Sequence, residues 1–317
     1  MDAIGGYFEL ELRQGEHYHK DAIRLNTARN CFEYILLARK YRKVYIPYYT
    51  CEVMLQPLKR LQVNYEFYSI DWNLEPVETY KLKDEEAFLY TNYFGLKQDC
   101  VERLVKVYGS KLIVDNAQAF FAPRVSGIDT FYSPRKFFGV PDGGYLYTDC
   151  RIDEVFPQDE SWSRMSHLLI RLDKGAENGY NAFREHEAEL DYASMKRMSR
   201  LTTALLQSID YELIKKRRLR NFKFLHENLG DMNQLICAEK YLNSICPMIY
   251  PLMTSRSAEL RQKLIGNKIF VATYWPNVSE WCKEGAVENE LCSEIVPLPI
   301  DQRYDLNDMK RILIHLN

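Results

Sequence analysis

Along the first two-thirds of the chain, short apolar runs bounded by turn residues alternate with stretches in which apolar residues recur every three or four positions. That alternation is the pattern of βα units around a mainly parallel sheet. Thr27 to Tyr41 predicts an amphipathic helix, with Cys31, Tyr34, Ile35 and Leu36 among its apolar positions. Val44-Tyr45-Ile46 predicts a strand stopped by Pro47, and Glu52 to Leu61 a second helix. Strands are expected at Tyr65 to Tyr68, Ala87 to Tyr90 and Leu112 to Val114, with a helix near Cys100 to Tyr108. Phe131-Tyr132 and Tyr145-Leu146-Tyr147 predict two more strands that bracket a turn. From Ser161 to Leu229 the chain is charged and favours helix, and its run Lys215-Lys216-Arg217-Arg218 reads as a solvated helix face, with phosphate binding as the alternative. Strands near Met248-Ile249-Tyr250 and Ile269-Phe270-Val271 and a closing helix from Leu306 to Leu316 suggest a small α+β unit. The expected division is a large domain over residues 1–205 and a smaller one over 206–317.

Composition narrows the function classes. With 317 residues, 46% of them hydrophobic, the chain can bury a large core. Its formal net charge is −2 and its charges are interspersed, so it lacks the basic footprint of a nucleic-acid or membrane-surface binder. No apolar segment approaches membrane-spanning length, and the first residues lack a basic stretch followed by an apolar one, so a cytosolic protein is expected. Eight cysteines are scattered without a paired motif, which argues against a zinc site or a disulfide framework. The one local histidine pair, His17 and His19, has no evident third ligand and reads as surface or substrate-cleft histidines; no metal site is expected.

The candidate chemistry lies in two segments. Ser133-Pro134-Arg135-Lys136-Phe137-Phe138-Gly139-Val140-Pro141-Asp142-Gly143-Gly144 places a lysine on a turn after one strand, and Val114-Asp115-Asn116-Ala117-Gln118 ends another in a carboxylate. Ligands of open α/β sheets sit beyond the carboxyl ends of strands. A lysine amine and a strand-end carboxylate suit pyridoxal phosphate: the amine forms a Schiff base with the cofactor aldehyde, and the carboxylate keeps a proton on the pyridine nitrogen. Taken singly, a lysine near glycines is nearly always a solvated loop residue, and Asp-Asn after an apolar strand is most often a turn or a helix N-cap. Asn26-Thr27-Ala28-Arg29 opens the first long helix and offers the backbone N–H groups that an anion needs.

From Gly5 to the final helix the chain resembles the sugar-aminotransferase family named after DegT, DnrJ, EryC1 and StrS, a branch of the fold-type I pyridoxal phosphate enzymes. The resemblance implies an α/β fold with a mainly parallel sheet in the large domain and a smaller α+β C-terminal domain. It implies that Asp115 pairs with the pyridine nitrogen, Gln118 contacts the ring hydroxyl, and Lys136 is both Schiff-base lysine and proton carrier. Thr27, Ala28 and Arg29 would hold the phosphate, the family's glycine being absent there. Phe131 stands where the family has a serine, so Ser133 is the nearest hydroxyl, and Cys51 stands where many members stack an aromatic ring on the cofactor. Arg197-Met198-Ser199 resembles the segment that reaches the partner subunit's cofactor, although Met195 replaces its asparagine. Tyr93, Arg197, Tyr274 and Trp275 are the candidate substrate-side residues, with core packing an equal reading for the last two. Ile295 to Ile300 resembles the family's closing segment.

The resemblance therefore implies a homodimeric aminotransferase that moves an amino group from an amino acid such as glutamate to a keto sugar, nucleotide-linked in the leading form. A dehydrating branch of the family carries histidine in place of the lysine, and Lys136 argues against it. The alternatives are a regulatory relative that keeps the fold without transaminating, supported by the altered phosphate and stacking positions, and a different pyridoxal phosphate reaction on an amino acid.

Overall fold

In a computed structural model, which describes residues 4–235 and 245–316, the chain folds around a seven-stranded sheet. It is assembled from β1 (Ile23–Leu25), α1 (Ala28–Arg39), β2 (Lys43–Pro47), α2 (Leu55–Arg60), β3 (Asn64–Tyr68), β4 (Glu86–Thr91), α3 (Gln98–Tyr108), β5 (Leu112–Asn116), β6 (Asp129–Tyr132) and β7 (Gly144–Tyr147). The strand order is β1-β7-β6-β5-β4-β2-β3. All neighbours are parallel except β7, which runs antiparallel to both β6 and β1. Parallel strands must be covered on both faces, and the alternation of side chains does this here. Phe88, Tyr90, Leu112 and Val114 enter one aromatic-rich core, while Ala87, Leu89 and Ile113 enter a second core with Phe32, Ile35 and Ile46.

Helices α4 (Ser166–Lys174), α5 (Ala176–Leu190), α6 (Arg200–Gln207) and α7 (Tyr211–Leu229) occupy the charged region, and residue 205 falls within α6. Beyond them, β8 (Tyr250–Met253), α8 (Ser257–Gly266), α9 (Val278–Trp281), α10 (Val287–Glu294), β9 (Ile295–Leu298) and α11 (Leu306–Ile314) form a unit with its own two-stranded sheet. A third core joins Phe222 and Leu225 of α7 to Tyr250, Leu252, Leu260, Val296, Leu298 and Ile312.

Three expectations need correction. Ile269-Phe270-Val271 is not a strand: only Ile269 is buried, Phe270 is exposed, and β8 pairs with β9 alone. The strand expected at Met248 starts at Tyr250, because Met248 leaves the ladder to pair its N–H with Phe94 O at 2.9 Å. Arg218 does not belong to a solvated face. It lies four and seven residues before Phe222 and Leu225 and seven after Tyr211, on the buried stripe of α7, and is 1% exposed.

Candidate active site

Register places the two key segments side by side. Asp115 pairs with Thr91 on β4 and with Phe131 on β6, so the carboxyl ends of β5 and β6 open at one edge of the sheet. Asp115 stands at the end of β5, buried, and accepts a hydrogen bond from Ala117 N–H at 2.8 Å. Burial pushes its carboxyl up to about 6, against the opposing pull of that N–H and of the Lys136 charge. Lys136 ends a single 3₁₀ turn, Pro134 to Lys136, closed by Phe137 and Phe138 N–H on Pro134 O at 3.0 and 2.9 Å. Its side chain is exposed, and its ammonium lies 5.8 Å from the centre of the Trp275 ring. Lys136 also acts on the Cys51 thiol, which burial pushes up while Lys136 and Arg29 draw it down. Asp115, Lys136, Cys51 and Trp275 are thus brought together from β5, the turn after β6, the loop after β2 and the C-terminal unit.

Gln118 is buried, and its Oε1 accepts from Phe94 N–H at 3.0 Å. That bond orients the amide so that Nε2 is left as a buried donor without a partner among the described residues. Phe94 holds a left-handed backbone, φ 56°, rare for a bulky residue. Gly95 follows with φ 75°, and a side chain there would press on Gln118 O and Cys246 O, both at 3.4 Å.

Thr27 caps α1: its hydroxyl accepts from Asn30 N–H at 3.0 Å and donates to Asn30 Oδ1 at 2.5 Å. The helix-start N–H groups of Ala28 and Arg29 remain for an anion, as at any helix N-terminus. The Arg29 guanidinium, expected to add charge there, is instead committed to Gln56 Oε1 at 2.6 Å and Asp191 Oδ1 at 2.9 Å. Ser133 is buried in extended backbone immediately before the lysine turn.

The Asp142-Gly143-Gly144 segment locks these parts together. Asp142 is fully buried and accepts from Ser199 N–H at 2.8 Å, Ser199 Oγ at 2.6 Å and Thr202 Oγ1. Gly143, with φ 122°, donates to Asn26 O at 2.5 Å. A Cβ on Gly144 would sit 2.5 Å from Thr27 O, so only glycine allows the lysine loop to touch the start of α1. Residues 194–199 are pinned to the same loop: Asn26 donates to Ser194 O and accepts from Lys196 N–H. Arg197 itself is exposed.

The substrate-side candidates divide. Tyr274 stands near Cys51, and burial pushes its hydroxyl up to about 12; Trp275 packs edge-on against Tyr49 at 5.2 Å. Tyr93 is not on the cleft surface. It is fully buried, donates to Tyr49 O at 2.9 Å, and supports Trp275 from behind through the Tyr49 ring.

Some of the groups around the site escaped the sequence reading. His17 and His19 are buried rather than surface or cleft residues, bonding to Tyr145 OH at 2.6 Å and Tyr147 OH at 3.3 Å, and both stay neutral because burial lowers them to about 4. Their i, i+2 spacing matches that of the two tyrosines on β7, which is the signal that was available. Among the described residues no cluster of three metal-ligating side chains occurs, and no helix is long and apolar enough to cross a membrane. Seven cysteines are free thiols, and Cys237 lies outside the described residues.

No family model matches the chain, and no curated protein does. Solved structures do. NtdA from Bacillus subtilis, with bound cofactor PMP, matches at TM-score 0.64 and 14% identity, over 93% of this chain and 72% of its own. A DegT DnrJ EryC1 StrS aminotransferase from Brucella abortus matches at 0.58 and 15%, over 93% and 84%. A mutant of the dehydratase ColD with bound GDP-perosamine matches at 0.63 and 12%, over 93% and 88%. At such identities the likeness establishes the fold alone, an α/β fold around a mainly parallel sheet.

Proposed function

We propose that this chain is a pyridoxal phosphate-dependent aminotransferase of the DegT, DnrJ, EryC1 and StrS family. It would carry an amino group from an amino acid, glutamate first, to a keto sugar, giving the keto acid and the amino sugar. The observation that carries the reading is the pairing of a buried strand-end carboxylate, Asp115, with the turn lysine Lys136 at adjacent parallel strand ends, in the fold on which NtdA holds PMP.

The residues fit the cofactor. Asp115 is a buried acid raised to about 6, the state that a nearby N–H⁺ relieves, and Gln118 Nε2 is a buried donor without an acceptor among the described residues. The start of α1, with Ser133 close in sequence to Lys136, supplies a phosphate cradle. When bound, pyridoxal phosphate supplies the electron sink that makes the substrate Cα–H acidic. The fixed carboxylate of Asp115 would stabilise positive charge at the ring nitrogen, and Gln118 Nε2 would donate to the ring oxygen. Lys136 Nζ would hold the cofactor and would take and return the proton at the substrate Cα as general base and acid. Trp275, whose ring centre lies 5.8 Å from the Lys136 ammonium, and Tyr274 beside Cys51 would flank the substrate on the side of the C-terminal unit. Cys51 occupies a place beside Lys136 where its thiol, kept neutral by burial, packs as a small apolar group. The nucleotide-linked form of the sugar draws support from the GDP-perosamine bound in ColD, and an amine at position 136 favours transamination over that protein's dehydration.

The protein with added pyridoxal phosphate is expected to turn yellow, and borohydride to fix the cofactor on the peptide containing Lys136. Lys136→Ala should abolish this without unfolding the chain, since the side chain is exposed. Glutamate, or another donor from a panel, should then bleach the colour and yield pyridoxamine phosphate with the matching keto acid. A donor panel that leaves the spectrum of the unreduced yellow protein unchanged, when a borohydride-treated portion of the same preparation is labelled at Lys136, would favour the regulatory reading instead.

The working unit in this reading is a cytoplasmic two-fold homodimer, in which residues 1–205 hold the cofactor and 206–317 flank the substrate. Support comes from the Arg197-Met198-Ser199 segment beside the phosphate cradle and from exposed Trp162, Leu169, Leu172, Tyr180 and Phe183 around α4 and α5. Light scattering on the cofactor-loaded protein is expected to give twice the chain mass; a stable monomer would refute the dimer.

A further inference from the structure

We infer that Arg218 and Gln302 are positioning residues that set the place of Lys136 relative to Gln118, an inference that rests on the aminotransferase reading of those two side chains.

A buried guanidinium is costly unless its N–H groups all find acceptors. Arg218 finds neutral ones. It donates to Gln302 Oε1 at 2.9 Å, Met248 O at 3.0 Å, and Pro247 O and Phe137 O at 3.4 Å, with its Cζ 4.6 Å from the centre of the Phe137 ring. The nearby carboxylate of Asp301 is already paired with Arg303. No side chain but arginine presents a rigid fork able to reach carbonyls from three separate segments at once.

Those segments are the ones that matter. Phe137 directly follows Lys136, and its carbonyl takes a second, shorter bond from Gln302 Nε2 at 2.7 Å. The turn's own backbone closes on Pro134 O and its Arg135 side chain is tied to Glu187 on α5, so Arg218 of α7 and Gln302 of the C-terminal unit add a separate anchor at Phe137 O. Met248, whose carbonyl Arg218 holds, donates its own N–H to Phe94 O at 2.9 Å, and Phe94 N–H donates to Gln118 Oε1 at 3.0 Å. One continuous set of hydrogen bonds thus runs from the residue after Lys136, through Arg218, Met248 and Phe94, to Gln118. The left-handed Phe94 lies at its middle, a strained conformation that persists only where its surroundings impose it. None of these groups touches the reacting atoms. Their effect is on where Lys136 Nζ and Gln118 Nε2 stand with respect to each other.

The test compares wild type with Gln302→Ala, Arg218→Met and Arg218→Lys by hydrogen exchange on the cofactor-free chain and by borohydride fixation at Lys136. Gln302→Ala should speed exchange of the amides of 137–140 by about tenfold, the worth of one such hydrogen bond, and slow fixation at Lys136. Arg218→Met should speed exchange there and also at Phe94 and Gly95, and Arg218→Lys should not rescue either. Exchange changes confined to 245–250 and 300–304, or unaltered fixation in Gln302→Ala and Arg218→Met, would overturn the inference. Gln302 is only half-buried, so its variant decides the matter even where Arg218→Met does not fold. A wild type that takes no cofactor on Lys136 would refute the reading of that lysine and leave the exchange result to judge the positioning.

Discussion

At the scale of single residues, Asp115 trades stability for chemistry. Its ordinary value is 3.8 and burial raises it to about 6, so the folded state binds the proton more tightly than the unfolded one. Its stabilising share is full below pH 3.8 and is lost as the pH rises through about 6. At neutral pH the buried carboxylate therefore costs stability in the cofactor-free protein. Asp115→Asn should stabilise that form by on the order of 1–3 kcal/mol at pH 7.5, with the gain vanishing near pH 4 in thermal melts. The same change should cut donor-driven bleaching of the holoprotein by orders of magnitude, because a neutral amide does not stabilise a pyridinium. A variant that is both less stable and fully active would remove Asp115 from the proposed role. Cys51, Phe131 and Met195 were legible in sequence as departures from the resembled pattern, but Tyr93 was not legible as core, since only packing shows that its ring lies behind Tyr49.

At the scale of elements, the joint between α1 and the lysine loop is the tightest point of the site. Gly144→Ala would put a methyl 2.5 Å from Thr27 O and 2.7 Å from Cys31 Sγ, and a backbone carbonyl has little room to retreat. The expected result is a loss of about 1–3 kcal/mol, the usual cost of overpacking, together with weaker cofactor binding as the N-terminus of α1 is displaced. Calorimetric unfolding and a cofactor titration on one preparation check both parts; intact affinity would mean that α1 is not the phosphate cradle. The apolar periodicity foretold α1, β2, β4, β5 and α3 to within two residues or so. It misplaced the strand at 269–271, where an apolar triplet has no partner strand, and it missed β1, whose three residues alternate too briefly to register.

For the molecule as a whole, acid sensitivity comes from the histidine pair His17 and His19, packed against β7, and from His186 on α5. His17 and His19 are lowered to about 4 and His186 to about 3, each chiefly by burial, from 6.5. The unfolded chain therefore binds more protons, and the stability they lend, complete above pH 6.5, is lost as the pH falls toward 4. Thermal melts should show stability falling from pH 6.5 to 4.5 by up to about 3 kcal/mol per unit, three histidine protons less the one that Asp115 takes up with the opposite sign over the same range, and His19→Gln should flatten that slope by one proton. A slope unchanged in that variant would mean that His19 titrates normally in the folded chain. By itself the sequence determined the βα order, the lysine turn and the strand-end acid, because local periodicity, turn glycines and short motifs are properties of neighbouring residues. Only the tertiary structure decided that Arg218 faces inward onto the lysine turn, that Arg29 is spent on Asp191, that His17 and His19 are buried against β7, and that Gln118 keeps one donor free. Those outcomes depend on which surfaces meet when distant segments pack, and burial then sets both the protonation of each group and the partners left to it.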